Sequence, residues 1–443
     1  MRFEEVREQA EEALGYEDAL GAFELLLPLL DPPDGLREPG QWTDALELLA
    51  RVTAETHSPP LAERCQLAAS RPDDPAPLLE LARAALEAEL PGLAVAALAR
   101  ARAREPERLA LLEEQVAALE TMGLHREAAR LLQESTSRTP GAFLTRYLLA
   151  FNLLLAGELR FAREALTTLG PPADATERFL QARLAGMLAR AEVVAAVTPL
   201  DADDLRGWHF VISGGLLLLP APPGTPGSDR GRWERSEDDE TRCRQALARL
   251  AGVLSALALA PPRVLSFPDR ENETLALAAA ELLGVPCAPF APSAGPGLVV
   301  AYDLARVLPE LVATLHHHAP GQLLWAHAAR WTREQPVVGD LLSFLYRRNV
   351  SPWERHLILD PRRTDLPAGP PAEPPAELAT RLMGRPLVPN EADEADKAAL
   401  LGLTRAAAAA PPADRPALLQ TDGVRERLWI GSPVPHGPPH RDP

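Results

Sequence analysis

Residues 75–108 read PAPLLELARAALEAELPGLAVAALARARAREPER, and their layout decides the architecture of the first half of the chain. Apolar residues recur at i, i+3, i+4 and i+7 in two runs separated by a short break, which is the pattern of two amphipathic helices joined by a turn. A window moved along by 34 residues meets the same layout again. Ala94, Ala128 and Ala162 align, and so do Leu98, Leu132 and Leu166 four positions later. Pro106 and Pro140 each end a unit, and Gly123 and Gly157 fall in the turn inside a unit, again 34 apart. Self-similarity at a fixed period of this size is the signature of a repeat array. The alanines let the second helix approach its neighbour, and the leucines one turn on fill the resulting groove. One pair alone cannot bury its apolar face, so successive pairs must stack.

In the first unit, Leu78, Leu81, Ala82, Ala85, Ala94, Leu98, Ala101 and Pro106 occupy the signature positions of the tetratricopeptide family, and the unit resembles that family. The second unit, 109–142, matches with Leu112, Leu119, Gly123, Ala128, Leu132 and Pro140. The third, 143–174, matches with Leu149, Ala150, Leu153, Gly157, Ala162 and Leu166. Gln115 and Arg146 stand where a large apolar residue is usual. Helical pairs around Gly15, Ala19, Phe23 and Pro32, around residues 43–69, and around residues 175–198 read as degenerate or capping units, so the solenoid is expected over residues 1–200. The resemblance implies that the first helix of each pair lines a concave groove, placed at Leu79, Arg83, Glu87, Glu113, Ala117, Glu120, Tyr147, Phe151 and Leu154. Only Arg83 among these is cationic, which disfavours a clamp for a chaperone C-terminal carboxylate and favours a basic or apolar segment of a protein or peptide. Tyr147 and Phe151 serve either as exposed contacts or as packing beneath a neighbouring unit.

From about residue 207 the helical period gives way to short β-rich runs alternating with helices, the pattern of an α/β domain on a largely parallel sheet. Residues 208–219 (WHFVISGGLLLL) read as a strand or hairpin, and 220–240 as a long polar loop. Strands are expected at 263–267, 285–288, 297–303 and 322–327, and helices at 274–283, 304–317 and 337–347. Ligands in open sheets of this kind sit beyond the carboxyl ends of the strands, which points to Asp269, Arg270, Asn272, Asp303 and Arg306. The run VLSFPDRENETLALAAAELLGVPCAPF (264–290) followed by GLVVAYDLARV (297–307) resembles a phosphoribosyltransferase core through Leu283, Gly284 and Pro286. The family's paired acids and Gly- and Thr-rich phosphate loop are missing, since Asp303 stands alone and residues 304–307 offer no hydroxyl or glycine. The resemblance therefore implies a catalytically dead structural or sensing module.

The formal charge of −17 excludes a general nucleic-acid binder, and no run is long and apolar enough to span a bilayer. Nearly all the cations are arginine, Lys397 being the one lysine, a composition expected of a GC-rich bacterial genome. Cys65, Cys243 and Cys287 are too few and too widely spaced for a disulfide framework or a zinc knuckle, and with the acidic N-terminus they point to the cytoplasm. His316, His317 and His318 are consecutive and read as a helix cap, because successive side chains on a helix diverge by about 100° and cannot share one ion. His436 and His440 lie in a Pro-Gly tail. Asp269, Glu271 and Glu273 read as an acid-rich helix start, and Ser213, Gly214 and Gly215 as a glycine bulge in place of an oxyanion turn. No P-loop, G-x-G-x-x-G or H-E-x-x-H motif occurs, and neither cofactor nor metal is expected. The 46 prolines mark boundaries, chiefly a linker at 361–377 that separates the α/β domain (207–360) from a helical extension and frayed tail at 378–443. The expected architecture is an N-terminal α-solenoid of tetratricopeptide type followed by a Rossmann-like, phosphoribosyltransferase-like α/β domain with a mostly parallel sheet. The expected function is a non-catalytic cytoplasmic adaptor holding a partner protein, its α/β domain a second interaction or sensing module. The alternative is an enzyme or a nucleotide or sugar-phosphate binder acting at the strand ends.

Overall fold

The computed structural model describes residues 3–30, 39–55, 59–88, 90–136, 143–222, 224–332, 335–353, 373–387 and 391–409, together with 425 and 434. Residues 361–372 of the proline-rich segment, Pro32, Pro140, His436 and His440 lie outside them. The chain divides into two compact units, Met1–Gln181 and Ala182–Pro443. No described helix is long and apolar enough to cross a membrane.

The N-terminal unit holds α1 (Phe3–Gly15), α2 (Ala19–Leu30), α3 (Pro39–Glu55), α4 (Pro59–Ser70), α5 (Pro75–Glu87), α6 (Pro91–Arg104), α7 (Leu109–Thr121), α8 (His125–Thr136), α9 (Phe143–Leu155) and α10 (Leu159–Thr167). These helices pack in adjacent pairs, α1 with α2 through to α9 with α10, and each pair packs on the next. The local chemistry explains the boundaries. Pro75 opens α5 behind Asp74, whose carboxylate accepts from the Ala76 amide. Gly123 and Gly157 sit at φ 69° and 79° in the turns after α7 and α9, where a left-handed residue lets the Leu124 and Glu158 amides reach back to the Leu119 and Leu153 carbonyls. The repeating columns form the interior: Ala94, Leu98, Ala128, Leu132 and Ala162 are fully buried. One continuous apolar cluster runs from Phe3 to Leu132. Gln115, which departs from the repeat pattern, is buried and accepts from the Arg102 guanidinium at 2.9 Å, and Arg146 donates to the Thr168 carbonyl at 3.0 Å. Both departures are thus satisfied polar contacts within the array. Residues 175–198 form a single long helix, α11 (Ala175–Ala195), where a helical pair was expected.

The C-terminal unit continues with α12 (Leu205–Ser213), β1 (Leu216–Leu217), β2 (Ser228–Asp229), β3 (Arg232–Glu237), α13 (Glu240–Ala256), β4 (Val264–Ser266), α14 (Arg270–Leu283), β5 (Cys287–Pro289), β6 (Gly297–Asp303), α15 (Pro309–Ala313), β7 (Gln322–Arg330), β8 (Leu341–Val350), α16 (Pro375–Met383) and α17 (Glu391–Ala409). The sheet order is β2-β3-β8-β7-β6-β4-β5, with β1 also on β8. Every pairing is parallel except the β2–β3 hairpin. The expected strands at 263–267, 285–288, 297–303 and 322–327 appear as β4 to β7, and α14 covers the helix expected at 274–283.

Four expectations are corrected. Residues 208–213 belong to the helix α12, because Asp204 caps its start by accepting from the Gly207 amide and Gly214, at φ 72°, ends it, and of the expected strand Leu216–Leu217 form β1. Gly214 is therefore a helix terminator and not a strand bulge. Gly215 stands so close to the Gly339 carbonyl that a Cβ would lie 2.6 Å from that oxygen. Within 220–240 the strands β2 and β3 interrupt the expected loop. Residues 337–347 lead into β8, not a helix. A central strand buried on both faces reads as an unbroken apolar run, which periodicity alone cannot tell from a helix. The helix expected at 304–317 is broken by Pro309 into a 3-10 turn at Leu304–Arg306, α15, and a second 3-10 turn at Thr314–His316. The three histidines hence do not cap a long helix.

Candidate functional site

The carboxyl ends of β3, β6, β7 and β8 carry a buried polar centre. Asp238 follows β3, and its amide extends the ladder to the Val350 carbonyl, which aims its side chain under the sheet end. Asp239 caps α13 by accepting from the Arg242 amide. This places Cys243, on the first turns of α13, against Asp238. His327 on β7 completes the group. Its Nε2 is 3.0 Å from Asp238 Oδ2, the Cys243 Sγ is 3.5 Å from both atoms, and the Tyr302 hydroxyl donates to the same Oδ2 at 2.7 Å. Asn349 Nδ2 donates to the Tyr302 hydroxyl at 3.0 Å. Asp238 Oδ1 accepts from the Asp239 amide and lies 3.5 Å from Arg242, whose guanidinium is stacked over Trp233. Side chains of Asp238 and His327 are fully buried, and the imidazole is enclosed by the rings of Tyr302, Trp325 and Phe344.

Burial drives the acid–base behaviour of this centre. It pushes the Asp238 carboxyl up, but His327, Arg242 and the Tyr302 hydrogen bond outweigh it and leave the group below its ordinary value. Burial, and then the Asp238 charge, push both the Cys243 thiol and the Tyr302 phenol well above their ordinary ranges. As a nucleophile Cys243 is therefore inert, since the thiolate is the reactive form.

The sheet-end residues expected as a ligand site divide into two groups. Asp269 is the N-cap of α14 and accepts from the backbone and side-chain nitrogens of Asn272, whose carbonyl oxygen takes the Tyr302 amide. The acid-rich stretch at 269–273 is thus a helix start. Asp303 accepts from the Ala305 amide and the Tyr346 hydroxyl, with Arg306 3.8 Å away. Arg306 also pairs with Glu271 at 3.5 Å and donates to the Asn349 carbonyl. Arg270, half-buried, has an Nε without a hydrogen bond and joins neither group among the described residues. Asp238, Arg242, Cys243 and His327 were not expected. The available signal was a histidine inside the apolar strand QLLWAHAAR, a placement that asks for a buried polar partner.

The Asp303 carboxyl is raised by burial above its ordinary value, against the opposing pull of Tyr346 and Arg306. A folded-state value above the unfolded one gives stability that is complete below the unfolded value, about pH 3.9, and is lost as pH rises through the folded value. Replacing Asp303 with Asn is expected to remove that part of the acid-side stability. Urea midpoints from pH 3 to 7 check this, as the difference between wild type and variant should change in that sense and then level off.

In the N-terminal unit, polar contacts link successive helix pairs at intervals close to the repeat. Arg83 donates to Glu114 at 2.9 and 3.1 Å, Asn152 donates to Glu120 at 2.6 Å and meets His125 at 3.0 Å, and Arg126 donates to Glu158 at 2.9 Å. Of the residues placed in the groove, Leu79, Tyr147 and Leu154 are buried in the packing. Arg83, Glu87 and Ala117 are exposed, while Glu113, Glu120 and Phe151 are half-buried, with Phe151 stacked on Tyr147 at 5.9 Å. No protein-family model matches the chain, and no curated protein matches it significantly in sequence.

Proposed function

We propose that the chain is an adaptor of tetratricopeptide type that holds a basic or apolar segment of a partner protein on the face carrying Arg83, Glu87, Glu113, Ala117, Glu120 and Phe151. The C-terminal unit serves as a second interaction or sensing module. What carries this reading is the charge state of that face. Its one guanidinium is already engaged by Glu114 and Glu80, whereas Glu87 and Glu113 make no ion pair or hydrogen bond among the described residues. The surface left for a ligand is therefore net acidic and broken by Ala117, which suits a cationic segment with a small apolar contact.

A random peptide library selected on the full chain is expected to enrich sequences with Lys or Arg near an apolar residue. Affinity should fall at least about tenfold in the Glu87→Lys, Glu113→Lys double variant, and should weaken with salt as an exposed charge pairing does. Failure to enrich any peptide, or enrichment indifferent to the charge reversal, overturns the reading. A second reading, ligand binding or catalysis at the strand ends, draws on the buried Asp238, Tyr302 and His327 centre. It predicts a small molecule retained by the purified chain and identifiable by mass spectrometry.

A further inference from the structure

We propose that Asp238, Cys243 and His327 bind a divalent transition-metal ion of the zinc class through one carboxylate oxygen, one sulfur and one imidazole nitrogen. Three facts of geometry lead there. First, the candidate ligand atoms come from three elements and converge mutually: Oδ2 to Nε2 is 3.0 Å, and Sγ lies 3.5 Å from each. A tetrahedral ion with bonds of roughly 2.0–2.3 Å requires ligand atoms about 3.3–3.6 Å apart; both sulfur edges meet this, and the 3.0 Å edge between Oδ2 and Nε2 opens by a few tenths of an ångström to admit the ion. In the metal-free chain these groups hydrogen-bond one another at the same spacing, and an ion would take the place of those bonds.

Second, the donor set is chemically selective. Sulfur with nitrogen and one oxygen suits zinc and its cobalt surrogate, whereas calcium and magnesium demand oxygen. Third, the surroundings already hold the Asp238 carboxylate in place. Tyr302 fixes Oδ2, Asn349 fixes Tyr302, and Arg242 lies on the opposite oxygen, Oδ1, so it offsets charge without occupying the ligand atom. An open depression of about 470 Å³ lined by Asp238, Glu240, Pro352, Arg381 and Arg385 lies beside the centre, whose Asp238 carboxylate is itself closed off from solvent.

The proton balance is simple. Cys243 binds as thiolate, so each ion taken up releases the thiol proton to solvent, while His327 binds through Nε2 and carries its proton on Nδ1. This site is separate from the partner-holding face and stands or falls without it.

Cobalt(II) titration of the full chain tests the proposal. One equivalent of cobalt is expected to bind with a thiolate-to-metal charge-transfer absorption. Cys243→Ser should abolish the band, His327→Gln should weaken binding by about tenfold or more, and the Cys65→Ser, Cys287→Ser double variant should keep the band. A wild-type chain that gives no thiolate band overturns the proposal, and so does a band that survives Cys243→Ser. Should Cys243→Ser fail to fold by near-UV circular dichroism, the double variant decides, since Cys243 is then the one thiol left. One equivalent with the band supports the site, and its absence removes it.

Discussion

Leu98→Ala is expected to destabilise the N-terminal unit by about 2–5 kcal/mol, because the truncation removes buried methyl groups and leaves a cavity that fixed helices cannot close. Leu98 is fully buried where α6 meets its neighbours, and Leu132, its counterpart one repeat on, is fully buried as well. Leu132→Ala should therefore cost a similar amount. Leu166 fills the same column one unit further but is only half-buried, so Leu166→Ala should cost clearly less. Equivalent positions in the repeat thus carry unequal weight, and burial sets the order. Urea unfolding followed by the fluorine NMR resonance of fluorotryptophan at Trp42, assigned with Trp42→Phe, reads all three, since Trp42 is the only tryptophan in that unit and is fully buried in the same cluster as Leu98 and Leu132. A stacked array with one continuous core requires that Leu132→Ala shift the Trp42 transition although the two residues lie in different helix pairs. An unshifted transition would mean that the pairs unfold independently, and the shared core would then have no energetic meaning.

The helical half was legible because each of its determinants is written several times. Ala94, Ala128 and Ala162 are individually unremarkable alanines, and only their common period reveals that each sits where two helices approach. Gly123 and Gly157 were readable for the same reason, and both occupy left-handed turns. In the second half, β6 and β7 were legible from local composition. β8 was not, since its opening run LLSFLY is buried throughout and lacks the alternation that marks a half-exposed strand. β3 was hidden by its charge: RWERSE reads as loop until its pairing with β8, register Trp233 to Tyr346, gives its backbone a partner more than a hundred residues away. The buried polar centre inherits that difficulty. Asp238 and His327 are 89 positions apart and meet only because β3, β8 and β7 are consecutive in the sheet. By contrast, Asp269 and Asn272 stand three positions apart and were readable as a helix start, which is the role they fill.

Arg425→Ala is expected to cost the C-terminal unit about 3–5 kcal/mol, the loss typical of breaking a buried ion pair from one side. Arg425 and Asp340 have side chains 1% and 0% exposed, so neither charge can recover solvation if its partner leaves. The guanidinium donates to both Asp340 oxygens, at 3.2 and 3.0 Å, and to the carbonyls of Leu315 and Gln322, while the Arg425 amide reaches the His316 carbonyl. Asp340 in turn accepts from the Leu324 amide at 2.7 Å, tying the start of β8 to β7. Removing Arg425 strands a carboxylate among those atoms, with the His318 imidazole 3.9 Å away. Two opposing contributions decide how much of the loss belongs to the pair itself. The pair attracts strongly in a poorly polarisable interior, but both ions gave up hydration to reach it, and on the usual balance these nearly cancel. The double variant Arg425→Met, Asp340→Asn, which removes both charges and keeps the volume, should accordingly recover much of what Arg425→Ala loses. Urea unfolding of wild type, Arg425→Ala and the double variant, followed by tryptophan fluorescence, measures the outcome. A double variant as unstable as Arg425→Ala would show that the guanidinium hydrogen bonds to the Leu315 and Gln322 carbonyls, and not the charge pairing, hold residue 425 in the core.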